Sequence, residues 1–279
     1  LTSDRDLYYI QTLGFRGEAL PSIAAVSKLT IRTSDNHQGK GLEVYFEGGE
    51  ERNRKEIAFH QGTEILVEDI FFNTPARLKY LKSLQTELGH IIDYVNRLSL
   101  SHPGISFALY HNERLIIRTS GNKQILHVIA AIYGNQVAKS MIKLENENLD
   151  FRLTGYIAKP EITRANKNHI TILINGRYIK NYLLTQAIIR GYKTLLMINR
   201  FPIAVLHIEM DPKLVDVNVH PAKLEVRFSK EQDLMKFIEK TVYGALSEQS
   251  FIREPIKSKD SNIKYHRPIQ PSFDFKVQH

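Results

Sequence analysis

The chain has 279 residues, 42% of them hydrophobic, which supplies apolar surface for about two separate cores. It contains no cysteine, which excludes a disulfide framework, a thiolate metal site and a cysteine nucleophile, and no apolar run approaches the ~18 residues of a membrane-spanning helix. The net charge of +8 and the pI near 9.4 point to a polyanionic partner, although residues 251–279 hold 6 basic and 3 acidic residues and carry part of that excess. The opening residues LTSDRDLYYI are neither a signal peptide nor a start at Met, so the expectation is an internal piece of something longer.

In chain order, Gly17 to Val26 reads as a short helix with Glu18 in its first turn, where the helix dipole favours a carboxylate, and Pro21 is early enough to be tolerated. Three alternating runs follow: Lys28 to Thr33, Leu42 to Phe46, and Glu64 to Glu68. They predict half-buried strands of one sheet. From Leu84 the period becomes helical, with Leu88, Ile91, Ile92, Val95 and Leu98 on one stripe ending before His102-Pro103-Gly104, and this helix is expected to pack on that sheet. Ile105 to Tyr110 and Arg114 to Arg118 suit a hairpin, and Thr119 to Asn122 reads as a boundary.

A second module then opens with a helix from Ile125 that Gly134 can cap. Strands at Phe151 to Ala158 and His169 to Ile174, a helix at Tyr182 to Tyr192, strands near Ile203 to Ile208 and Leu224 to Phe228, and a helix from Gln232 to Leu246 complete it. Sheets and helices alternate in both modules, which makes the fold class α/β or α+β. After Ser250, prolines among charges and few apolar residues predict a linker.

Four segments could carry chemistry. In TLGFRGEAL, Gly14 and Gly17 precede a helix, a pattern that lets backbone N–H groups approach a phosphate but more often serves only as a turn. In His60-Gln61-Gly62-Thr63, the glycine could admit a ligand and the hydroxyl could bond it, although a strand beginning after a turn explains the same residues. Between Leu214 and Phe228, Asp216, Asn218 and His220 share one strand face, a pattern that any exposed strand offers, while Lys223 after Pro221 is a point charge able to reach a phosphate. Finally Arg177, Lys180, Arg190, Lys193 and Arg200 are scattered among Tyr178, Tyr182 and Tyr192, as in surfaces that bind phosphates without reading sequence. The sequences GxxxxGK[ST], HExxH and GxSxG are absent, as is a dinucleotide fingerprint after a strand.

Together, TLGFRGEALPSIAAVSKLTI, GTEILVEDIFFNTPARLKYLKS, ILINGRYIKN and VDVNVHPAKLEVRF resemble the MutL family in order and spacing, over roughly Asp4 to Leu246. The gyrase-type and Hsp90-type ATPases share only shorter glycine-rich fragments and lack the FFNTPAR and NVHPAK combination. The resemblance implies an incomplete GHKL ATPase domain (1–120), a ribosomal-protein-like βαβ transducer and DNA-binding domain with a left-handed crossover (121–250), and a flexible linker (251–279). It implies nucleotide contacts at Gly14, Phe15, Arg16, Gly17, Glu18, Ala19 and Leu20, with Thr63 supporting the pocket and Lys223 reaching the terminal phosphate.

ATP and Mg2+ would be the cofactors of the intact protein. Its partners would be DNA, MutS, a second copy in a homodimer and a nuclease function, in the bacterial cytoplasm at the nucleoid. The family's segment bearing the general-base Glu, the Mg-binding Asn and the DxGxG loop has no counterpart in these residues, so no catalytic residue is expected among them. Two other readings are a nonenzymatic DNA-binding and interaction module, and the transducer region of a type II topoisomerase.

Overall fold

The computed structural model describes residues 17–35, 39–216 and 226–251. A short helix, α1 (Ala19–Ala24), leads into four antiparallel strands: β1 (Lys28–Ser34), β2 (Lys40–Glu47), β3 (Glu50–Ala58) and β4 (Gly62–Glu68). They pair in the order β3-β2-β1-β4. The β2–β3 turn is Gly48-Gly49, and both residues have positive φ (61° and 90°), the conformation a two-residue hairpin demands. Glu18 sits at the N-cap of α1 in αR geometry with no capping side-chain bond, and not in the first turn as expected. β3 was not expected because EERNRKEIA is mostly charged, as befits an exposed edge strand.

Two further departures concern burial. β4 is exposed at all seven positions, with Ile65, Leu66 and Val67 each more than 40% exposed among the described residues, so it is not the half-buried strand that its alternation predicts. After α2 (Pro75–Leu78) comes α3 (Leu84–Ser101), capped by Ser83, whose hydroxyl accepts the Thr86 N–H. The helix was expected to pack on the first sheet, yet its buried residues are Arg97, Ser99 and Leu100 near the C-terminal end, and of these Arg97 bonds Thr171 and Leu100 packs into the core of the second unit. Leu84 and Ile91 on the predicted stripe are exposed. A helical period locates a face but cannot say which sheet covers it.

The hairpin β5 (Ala108–His111) and β6 (Arg114–Arg118) turns at Asn112-Glu113, both with positive φ. The second unit comprises α4 (Ile125–Tyr133), α5 (Asn135–Lys139), β7 (Met141–Glu147), β8 (Phe151–Ala158), β9 (Thr163–Arg164), β10 (Ile170–Ile174), β11 (Arg177–Ile179), α6 (Tyr182–Gly191), β12 (Phe201–Pro202), β13 (Ala204–Met210), β14 (Val215–Asp216), β15 (Arg227–Phe228) and α7 (Glu231–Phe251). Its sheet runs β11-β10-β13-β8-β7, with β10 parallel to β13 and the other neighbours antiparallel.

Helices cover both faces of this sheet. α6 and α7 bury Leu184, Ile188, Leu234, Ile238 and Val242 against Ile172, Ile174, Leu206 and Ile208. On the other face, Leu100 of α3 and Val128 and Ile129 of α4 meet Val205 and Ala158. Burial on two faces explains why β10 is ITILI and why β13 opens with Ala-Val-Leu. The mixed α/β class is as expected.

Candidate nucleotide and nucleic-acid interface

The first candidate site lies around α1 and β4. Gly17 has φ 64° and open space where a Cβ would stand, so the backbone ahead of α1 is accessible. Glu18, Ala19 and Leu20 are exposed, and no side chain of Glu18 caps the N–H groups at the helix start. Thr63 faces Thr33 in the β1–β4 register, and the two hydroxyls lie 2.9 Å apart. Strand alternation puts this pair on the face that carries Ile31 and Ile65, while Arg32, Glu43 and Glu64 form an ion-pair network on the opposite face.

Within that network Lys55 and then Arg32 hold the Glu43 carboxyl below its ordinary range. Thr63 is not on a central strand among the described residues: β4 is the sheet edge there. Thr33 stands five register positions from Lys28, where α1 joins the sheet, which is about 17 Å along the strand. Gly14, Phe15, Arg16 and Lys223 lie outside the described residues, as do Asn218 and His220. Among the described residues no group of three His, Asp or Glu could hold a metal ion.

The second candidate site is basic. Arg177 begins β11, and Lys180 is exposed just beyond that strand's end. Arg190 and Lys193 sit beside them in sequence but are engaged with α7: Arg190 Nε bonds Glu239 Oε2 at 2.9 Å, and Lys193 Nζ stands 3.4 Å from the centre of the Tyr243 ring. Tyr243 is held below the ordinary phenol range by bonds with Ser247 and then Lys193. These two cations therefore fasten α6 to α7 as well as facing solvent.

Two residues were missed. Arg164 lies on β9, and Lys167 places its Nζ 5.3 Å from the Tyr182 ring and 5.2 Å from the Phe201 ring. The signal that could have found them is an absence: from Ile162 to Ile208 the sequence has seven basic residues and no Asp or Glu. Outside this stretch and residues 251–279, acidic residues outnumber basic ones, so the positive excess of the folded body is concentrated on one part of the second unit.

Behind this surface, Arg97 of α3 is buried. Its guanidinium donates to Asp93, to Thr171 Oγ1 and to the Asn168 carbonyl, and it stacks 4.1 Å from the centre of the Tyr178 ring. Asp93, Asn96, Arg97, Tyr133 and His169 line a cleft of about 150 Å³ between α3, α4 and the segment before β10. Burial, then Arg164 and Arg97, hold the His169 imidazole below its ordinary range.

Residues 129–247 match the family model described as DNA mismatch repair protein, C-terminal domain. The DNA mismatch repair protein MutL of Streptococcus agalactiae is 50% identical over 278 residues, which is 99% of this chain and 42% of that protein. The chain belongs to the MutL family. It thus spans less than half the length of this MutL relative.

Two solved structures are similar in fold. The crystal structure of the N-terminal domain of a DNA repair protein superimposes with a TM-score of 0.75 at 24% identity, covering 90% of this chain and 84% of that one. The Aquifex aeolicus MutL ATPase domain complexed with ADP gives a TM-score of 0.58 at 23% identity, covering 75% of this chain and 76% of that one. At these identities the likeness concerns the fold alone.

Proposed function

We propose that this chain is the nucleotide- and DNA-binding part of a MutL-type mismatch-repair protein, organised as residues 1–120, 121–250 and a linker at 251–279. The observation that carries the DNA reading is the stretch from Ile162 to Ile208, which presents cations and no carboxylate within a family model for mismatch repair. Arg177 and Lys180 are the leading phosphate contacts. Arg190 and Lys193 add charge while remaining tied to α7.

In this reading Gly17 to Leu20 offer backbone N–H groups to an anion, the Thr33–Thr63 hydroxyl pair supports the pocket, and Lys223 meets the terminal phosphate. Bound ATP would supply a phosphate bond whose presence or cleavage the second unit senses. The open backbone at Gly17 and the uncapped start of α1 fit such a ligand. The described residues do not fit a Mg2+ site. MutS, a second copy and a nuclease function are the partners this reading requires.

The test is a pair of substitutions. Lys223→Ala in the intact protein should slow ATP hydrolysis more than it weakens nucleotide binding, and unchanged turnover removes Lys223 from the site. Charge reversal at Arg177 and Lys180 should weaken binding to duplex DNA at low salt. Unchanged affinity discards the DNA reading.

A further inference from the structure

Between α6 and β12 the chain makes a tight turn of unusual composition. The Arg200 N–H donates to the Met197 carbonyl at 3.1 Å, and Asn199 takes φ 57°, as the third residue of a type II turn must. Ile198 at the tip is 92% exposed, Met197 68% and Leu195 52%. Single exposed apolar residues are ordinary, but here three fall within four positions, Leu195 just before the hydrogen-bonded turn and Met197 and Ile198 on it.

The base of the turn is fixed. Arg200 donates through Nε to Thr163 Oγ1 at 2.9 Å and through a terminal nitrogen to the Thr163 carbonyl, and Phe201 pairs with Arg164 across β12 and β9. Lys167 bridges the Phe201 and Tyr182 rings, so the turn is continuous with the surface that carries Lys180.

We infer that the turn Met197–Arg200 is an apolar wedge that enters the minor groove of duplex DNA and leans Ile198 and Met197 against a base step. The inference rests on the DNA-binding reading above. Its specific ground is the combination of an aliphatic tip, anchored at its base by Arg200, with a stretch from Ile162 to Ile208 that contributes seven cations and no carboxylate of its own: phosphates neutralise these cations while the tip is buried against bases. A hydrophobic protein pocket would account for the tip but not for the missing carboxylates. Pyrimidine–purine steps, which open at least cost, are the preferred targets.

The experiment uses the full chain, a duplex with 2-aminopurine at a central TA step, and the variants M197S/I198S and R177E/K180E. Wild type should brighten the probe on binding. M197S/I198S should bind about a hundredfold more weakly, as expected for two aliphatic side chains that are no longer buried, with the salt dependence unchanged and the brightening lost. R177E/K180E should reduce the salt dependence while its residual binding still brightens the probe.

Unchanged affinity and brightening in M197S/I198S overturns the wedge and leaves the phosphate contacts standing. No DNA binding by wild type at low salt overturns both. A change confined to self-association, read by sedimentation without DNA, assigns the turn to a second copy and also overturns the wedge.

Discussion

Arg97 illustrates what a single buried cation does in this molecule. Only 6% exposed, it satisfies Thr171, the Asn168 carbonyl and the Tyr178 ring at once, while its one charged partner, Asp93, stays half in water. Arg97→Ala should cost about 2–3 kcal/mol, because it leaves buried acceptors without a donor, and Arg97→Lys should recover only part of that because an ammonium cannot stack and fork in the same way. Urea denaturation of the two variants checks both expectations. No sequence pattern announces this role, since an arginine on a helix facing solvent is written identically.

His169 and His207 are a second residue-scale case, each held below the ordinary imidazole range chiefly by burial. Burial favours the neutral form of both in the fold, whereas the unfolded chain takes up protons as pH drops through the ordinary value of 6.5. Stability is therefore fully present above that value and is lost as pH falls from it toward the lower folded values. Thermal unfolding should show a falling Tm between about pH 7 and pH 5, and His207→Gln should flatten the slope relative to wild type if it folds.

At the scale of elements, α6 and α7 meet where Gly191 leaves no room. A Cβ there would stand 2.6 Å from Val242 Cβ and 3.0 Å from the Glu239 carbonyl oxygen. Gly191→Ala should thus destabilise the second unit by about 1–3 kcal/mol through overpacking, against the small gain that alanine usually brings to a helix. Val242→Ala in the same chain should relieve part of the clash, which chemical denaturation of the double variant can measure.

The positions of α4, α6 and α7 and of strands β6, β8 and β10 were legible because each pairs a clear period with a turn signal such as Gly134 or Asn175-Gly176. β3 was not, because an edge strand can afford charge on both faces. The packing of α3 was not legible either, because periodicity is a property of one element and docking a property of two. At the candidate sites, the turn at Gly17 could be read locally, whereas the separation of Thr63 from α1 depends on strand register, and Lys167 joins the basic surface only through rings at 182 and 201.

For the whole molecule, charge distribution says more than net charge. Seven cations without a carboxylate between Ile162 and Ile208 give a local field that a total of +8 conceals. Loss of one phosphate contact, by Lys180→Ala, should lower the slope of log affinity against log salt by about 1, with the same effect on unrelated duplex sequences. An equal slope in the variant would place Lys180 away from the backbone. Lys193→Ala should instead lower stability along with affinity, since Lys193 also stands over Tyr243.

Because Leu100 and Arg97 seat α3 on the second unit, the chain crosses between its halves twice: once covalently near Gly121 and once through a packed helix. Severing the peptide bond near Gly121 would leave the two pieces associated, and they would migrate as one particle until denaturant releases α3.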